Sequence, residues 1–482
     1  MAWSRAALVL VATGAVAAVL VSGGHSADPR TPAALPGLPP PFLGTAVVGG
    51  GELTAAIDAY GDVVDLRATP AGRELVDNSY ARQVAETVPA GTGIVPRLSV
   101  GNGRARPLWQ ADAVMQRYLP GTNVVRTVAR FGSAWGEIVY AAGGSKLACL
   151  TRTSPGSELT LAVADPAAAA RLRCDDGTAR SIVRAAARSD RRWLMRARTL
   201  GRAAPPWAVR LYERSLLTLR ALTDRRSGAA VAGARDGWAY VWPRDAGTTA
   251  LALAAGGYEP EARRVARFLL GLDLEATARF HGDGTPIAGR DAQGDAAGWT
   301  AVAARAAGLR ARVLSLPWRD RADYQEGVPG DYLGNAIAGG DASDVFETAR
   351  GLVRAAGDPG SGLDSAAAWA VRPFSQPSLH PAARRTLLRL AGKRTRFGIV
   401  PGEDWNGGID PWMAPTAWSA WSLAALGERG AALRLLAALR RAATPAGALP
   451  ERVDVRTGIP RSTTPLAWSH AFAILALREL WP

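Results

Sequence analysis

Lysine is nearly missing from this 482-residue chain. Only Lys146 and Lys393 occur, so arginine carries almost all of the formal net charge of +15. The arginines are dispersed, with no long block of like charge, and no zinc-finger, Gly-rich phosphate loop or RNA-binding signature accompanies them. Nucleic acid is therefore not the expected partner. Histidine is also scarce, at 4 residues. No His/Cys or EF-hand spacing is present, which argues against a resident metal, and no cofactor is expected. Cysteine is limited to Cys149 and Cys174. They form either one disulfide, worth about 3–4 kcal/mol in an oxidising compartment, or two buried thiols.

What is present reads as a folded, multidomain chain. The hydrophobic fraction of 48% and charged fraction of 21% fit globular domains rather than disorder. Arg5 precedes an apolar run from Ala6 to Val21. Residues 1–27 are thus expected to be a signal peptide or an uncleaved membrane anchor, placing the rest outside the cytoplasm. Any membrane contact would run through this segment alone. Prolines then crowd residues 28–42 and predict a stiff linker. From 43 to 186 short extended runs alternate with Gly, Pro, Asn and Asp, which suggests an antiparallel β-sandwich. A connecting helix is expected over 187–206.

From 207 to 482 the period changes to that of helices. Starts are expected near Trp207, Ala246, Pro260, Ala292, Ser343, Ser365, Pro381, Pro415, Arg429 and Pro465. A ring of paired helices or an α-solenoid would both fit that count. Most of the 16 tryptophans fall in this half, several in Gly-rich loops.

The stretch Asp236–Asp245 concentrates chemistry. Trp238, Tyr240 and Trp242 alternate along a run expected to be extended, and Arg244-Asp245 follows Pro243. Flat apolar faces beside a paired cation and carboxylate suit a sugar ring; a buried aromatic hairpin is the competing reading. The segment Trp242–Asp245 resembles the Trp-Pro-Arg-Asp motif of the glucoamylase-like glycoside hydrolases of family 15. The resemblance implies an N-terminal antiparallel β-sandwich followed by an (α/α)6 toroid. It also implies that Arg244 and Asp245 bind the hydroxyls of a terminal sugar.

Three further stretches extend the resemblance. Ala448–Asp454 and Pro465–His470 look like the family's Leu-Pro-Glu loop and the helix after it, which implies Glu451 as general base with Trp468 and His470 close by. Asp323–Glu326 resembles Asp-Tyr-Trp-Glu and implies Glu326 as general acid, with Asp323 and Asp331 the next choices. Gln325 stands where relatives carry tryptophan, so the pocket around the acid differs. Val400–Trp412 resembles a loop that binds substrate hydroxyls, implying roles for Glu403, Asp404 and Trp405; Asp410 replaces the usual Asn. Gln293–Trp299 looks like the start of a pocket-lining helix and adds Trp299.

Two carboxyl groups facing each other across a bond are what glycoside hydrolysis requires. The expected activity is that of an exported, inverting glycosidase releasing terminal α-linked glucosyl units from an oligo- or polysaccharide. A glycan-binding pseudoenzyme and a phosphorylase are the alternatives.

Overall fold

The structure, a computed structural model, describes residues 35–77, 93–163, 165–235, 237–310, 316–325, 328–342, 344–405 and 407–482. The expected targeting segment and most of the linker lie outside the described residues. Among the described residues no helix is long and apolar enough to cross a membrane.

The first half is two packed sheets. One runs β1 (Gly44–Val48), β2 (Thr54–Asp58), β3 (Val63–Arg67), β5 (Ile94–Val100) and β11 (Ser157–Val163), with β4 (Glu74–Asp77) on β3 and β6 (Arg106–Pro107) on β5. The other is ordered β12 (Leu172–Cys174), β10 (Lys146–Thr153), β9 (Ala134–Gly143), β8 (Val125–Phe131) and β7 (Ala113–Tyr118). Strand β8 shows the alternation of a half-buried strand, with Val125, Thr127, Ala129 and Phe131 buried. In β1, β2 and β3 every residue is buried. The reason is that both faces are covered. Ala46, Ala55 and Ile57 enter the core between the sheets, whereas Val47, Ala56 and Val64 pack into the helical half.

Strands β10 and β12 pair in parallel with Cys149 opposite Cys174. The two are joined by a disulfide with a Cα–Cα distance of 4.6 Å. After α1 (Pro166–Arg171), helix α2 (Gly177–Leu194) packs on β9 and β10 and so begins well before the expected connecting helix. Helix α3 (Pro206–Leu222) then meets the sandwich directly. Its Arg214 donates to the Thr122 carbonyl at 2.8 Å and stacks 3.7 Å from the Tyr118 ring.

The helices divide by amphipathicity. Helices α4 (Pro243–Ala255), α9 (Met413–Ala425) and α11 (Ala467–Leu480) are buried on nearly all sides. By contrast α5 (Glu259–Leu270) buries the single stripe Ala262, Val265, Ala266 and Leu269. Helix α10 (Arg429–Ala442) is likewise one-sided. The all-round buried set closes a cycle of neighbours. Helix α4 touches α6 (Ala296–Ala306), and α6 touches α7 (Leu333–Gly339). Helix α7 meets the 3-10 segment Ser365–Ala370, which meets α9; α9 packs on α11, and α11 returns to α4. Helices α3, α5, α8 (His380–Gly392) and α10 pack outside it. This cycle is compatible with a six-hairpin toroid.

Two expected helices change form. The start near Ser343 is a 3-10 turn, Asp344–Phe346, leading into the hairpin of Glu347–Thr348 with Gly351–Leu352. The start at Ser365 gives only the 3-10 segment. Helix α7 was not anticipated, because its seven residues with glycines near both ends carry little periodicity.

Gly298 fixes how closely α6 approaches α7. A Cβ there would sit 2.2 Å from the Ala338 carbonyl oxygen. On an open helix face Gly→Ala stabilises by roughly 1 kcal/mol. Here overpacking against rigid backbone, about 1–3 kcal/mol, outweighs that gain. Gly298→Ala should therefore lower the denaturation midpoint; a raised midpoint would show that the two helices are not in this contact.

Candidate active site

The N-terminal turns of three inner helices open onto one cavity of about 470 Å³. That is within the roughly 300–1,000 Å³ of small-molecule sites. Trp242 is the extended residue before α4, and Pro243 occupies the first turn, where its missing N–H costs nothing. This puts Arg244 and Asp245 on the first turn of the helix. The aromatic run before it is a turn rather than a strand. Trp238 and Ala239 donate their amides to the Arg235 carbonyl, the Trp238 and Tyr240 carbonyls accept from Gly233 and Ala232, and Val241 pairs with Phe280.

Arg244 is 4% exposed. It donates to Gln293 Oε1 at 2.8 Å and Asp295 Oδ2 at 3.0 Å, and its guanidinium lies 4.7 Å from the Trp468 ring. Burial by itself pushes this guanidinium down, and the carboxylates of Asp295 and Asp245 more than restore it. Asp245, with Oδ2 3.7 Å from Arg244 Nη2, is pushed up to about 7. Its burial outweighs the attraction of Arg244, and the charges of Asp295 and Glu451 add to the rise.

Glu451 sits in the loop between α10 and α11, and its backbone is fixed from several sides. Its amide donates to the Thr463 carbonyl at 3.0 Å, and its carbonyl accepts from Met413 N at 2.9 Å. One residue back, the Pro450 carbonyl accepts from Ser469 Oγ at 3.0 Å. His470 Nε2 accepts from Leu449 N at 2.9 Å, so the proton sits on Nδ1, which faces Ser215 Oγ at 2.9 Å. Burial, with the charge of Arg214 behind it, holds His470 neutral, far below the usual histidine range. The Glu451 carboxylate accepts from Ser462 Oγ on one oxygen and from Trp238 Nε1, at 3.4 Å, on the other. Burial raises its pKa. The Ser462 bond, Arg452, the Trp238 bond and Arg290 oppose the rise without cancelling it.

Across the cavity, Gln325 occupies the wall. Its Nε2 donates to Asp364 Oδ2 at 2.9 Å and to the Tyr324 hydroxyl at 3.0 Å. Tyr324 itself donates to Asp364 Oδ1 at 2.8 Å. Burial pushes Asp364 up to about 7, and the charge of Asp323 adds to it. Glu326, expected as the acid, lies outside the described residues. Neither alternative for that role lines the cavity. Asp323 is taken by Arg354 through contacts of 3.0 and 3.1 Å, and Asp331 pairs with Arg319 at 2.6 Å.

Trp238, Trp242, Arg244, Asp245, Trp405 and Trp468 from the expected set come together at the cavity with Glu451. Five expected contacts do not. Trp299 is fully buried, edge-on to Trp369, Phe374 and Phe472, because α6 turns this face into the helical core. His470 is fully buried and holds the Leu449 backbone. Glu403 is held away by Arg350 and Lys393, at 2.7 and 2.6 Å. Asp404 is exposed and packs against Gly362. Tyr240 stands behind Trp242, edge-on to His281.

Several cavity residues had no sequence signal of their own: Arg279, Arg290, Arg461 and Ser462; Arg452 lay in the Ala448–Asp454 stretch without a role assigned to it. Gln293 and Asp295 lay in a quoted stretch, yet their task is to hold Arg244. Trp405 lies flat on Gly407, where a Cβ would stand 2.1 Å from its ring. Only glycine fits beneath it.

No family model matches the chain, and no curated protein matches it significantly. Solved structures do. A glycosidase variant in complex with glucose aligns at 21% identity and a TM-score of 0.47, over 57% of this chain and 97% of that one. The glucoamylase from Saccharomycopsis fibuligera aligns at 14% identity and a TM-score of 0.46, over 58% and 96%. A bacterial glucoamylase complexed with acarbose aligns at 12% identity and a TM-score of 0.61, over 91% of this chain and 94% of that one. The chain has a glucoamylase fold. At 91% coverage that likeness takes in the sandwich half as well as the helices.

Within this glucoamylase fold the Glu451 environment is testable without any substrate. Carbon-13 NMR of the side-chain carboxyl should give a titration midpoint above the ordinary glutamate value of 4.5. Ser462→Ala removes a donor to the charged form, so the midpoint should rise further. A midpoint unmoved by the substitution would place Ser462 off the carboxylate.

Proposed function

We propose that this chain is an exported glycoside hydrolase that removes terminal α-linked glucosyl units from oligo- or polysaccharides with inversion at the anomeric carbon. The observation that supports it most is Glu451. A carboxylate with one donor on each oxygen is held on a rigid backbone at an aromatic-walled cavity. The proposal carries with it an (α/α)6 toroid as the catalytic fold, and saccharide rather than nucleic acid as partner.

In this reading the Arg244–Asp245 pair holds the hydroxyls of the terminal ring, and Trp238, Trp405 and Trp468 lie against its C–H faces. Glu451 takes a proton from water as the water oxygen bonds to the anomeric carbon. The glycosidic C–O bond breaks at the same time, and Glu326 gives its proton to the departing oxygen. The indole N–H groups of Trp242, Trp405, Trp412 and Trp468 are buried and have no hydrogen-bond partner among the described residues. Export is supported by the charged and apolar start of the sequence and by the Cys149–Cys174 bond, which belongs in an oxidising compartment.

NMR of the reaction should show the β-anomer of the released sugar first, before mutarotation. Glu451→Gln should lower kcat by about 10²–10⁴-fold on every substrate. Glu326→Gln should cost less when the leaving group is an acidic phenol, which departs with little protonation. Release of the α-anomer first would reject inversion, and equal losses of Glu326→Gln on natural and phenolic substrates would remove that residue from the acid role.

A further inference from the structure

The charge of the cavity narrows the substrate, on the assumption that the hydrolase reading holds. We infer that the glycan accepted here carries an anionic group, a carboxylate, sulfate or phosphate, on a sugar next to the bond that is cut. Among the described residues five arginines line the cavity, Arg244, Arg279, Arg290, Arg452 and Arg461, against two carboxylates, Asp245 and Glu451. Two of the five are matched by carboxylates outside the lining, and a third, Arg290, is engaged as well. Asp295 takes Arg244 and Asp454 takes Arg461. Among the described residues no carboxylate pairs with Arg279 or Arg452.

Arg279 lies 5.2 Å from the Tyr240 ring, with its Nε buried and unpartnered. The aromatic face orients this guanidinium and leaves its forked edge available. Arg290 shares the wall, and the positive charge of Arg279 works against its own, after burial. Arg452 follows Glu451 directly, and both Arg452 and Arg290 are close enough to favour the charged form of that carboxyl. Arg452, which has no carboxylate partner among the described residues, therefore stands beside the reacting bond rather than at a distant rim. The first turns of α4, α9 and α11 also point their positive dipole ends at the same space.

A neutral glucan needs donors and acceptors, which amides and hydroxyls supply without mutual repulsion. Guanidinium groups gathered on one wall repel one another, and an anion between them reverses the sign of that interaction. Their planar fork matches carboxylate, sulfate and phosphate oxygens in pairs.

The test compares matched α-glycosides: a neutral parent and the same glycoside bearing a C6 carboxylate, a sulfate or a phosphate. Wild type and the double variant Arg279→Gln, Arg452→Gln are assayed at low and high salt. At low salt at least one charged member should exceed the neutral parent in kcat/KM by about tenfold or more, chiefly through KM. High salt should shrink the advantage, and the double variant should bring it close to unity. Arg279→Lys and Arg452→Lys, which keep the charge, should retain part of it, so misfolding of the double variant cannot mimic the result. The arm with the largest advantage identifies the group. A neutral parent turned over as well as every charged member would overturn the inference, as would an advantage that survives the double substitution. If the wild type cleaves none of them, the hydrolase reading fails by itself. Calorimetry with the same glycans then reads the inference directly, and equal affinity for neutral and charged members overturns it. Added inorganic phosphate provides the last arm. Release of sugar phosphate only in its presence would assign the arginines to a co-substrate and overturn the inference.

Discussion

A single buried guanidinium holds the cavity end of the helical half together. Arg244 belongs to the first turn of α4, its partners Gln293 and Asp295 lead into α6, and the ring it stacks on, Trp468, opens α11. Three helix starts are thus referred to one planar group. A buried charge without a partner costs about 3–5 kcal/mol, so each contact depends on the others being kept. The node fixes Trp242, Asp245 and Trp468 relative to one another before any ligand arrives. Preorganisation of this kind is what an enzyme site gains from a structural ion pair.

The loop carrying Glu451 is anchored by a different device. The buried imidazole of His470 and the hydroxyl of Ser469 bind backbone groups at Leu449 and Pro450, one turn into α11. The carboxylate is therefore placed by groups that never enter the cavity. It stays partly desolvated yet carries a hydrogen bond on each oxygen, a compromise between basicity and availability. Arg452 and Arg290 on the same wall favour its ionised form without cancelling the effect of burial.

Much of this was legible in the order of residues. The Trp-Pro-Arg-Asp segment and the Glu451 loop are contiguous, so their chemistry and their fold coincide. The sheet-to-helix change of period was equally plain, because strands such as Val125–Phe131 and stripes such as Ala262–Leu269 repeat with different spacings. Where the reading went astray, proximity in sequence had been taken for proximity at the site. His470 lies within a turn of the cavity residue Trp468, and Trp299 one turn beyond Asp295, which holds Arg244, yet both sit on the faces of their helices that turn into the core. Glu403 adjoins Trp405's loop but is drawn outward by Arg350 and Lys393, charges distant in sequence. The arginine wall could not be foreseen for the same reason. Arg279 and Arg290 come from a loop far from Arg452, and only the closed cycle of helices brings them to one cavity.

The central claim is that Glu451 faces a bound sugar across a water in this cavity. A crystal structure of Glu451→Gln soaked with an oligosaccharide substrate measures it most directly. A terminal ring is expected between the tryptophans, with Arg244 and Asp245 on its hydroxyls and an ordered water between residue 451 and the anomeric carbon. The carboxyl of Glu326 should then stand on the opposite face, roughly 6.5–9.5 Å from the side chain at 451. A sugar bound away from Arg244 and Asp245, or a separation near 5 Å with no room for water, would contradict it.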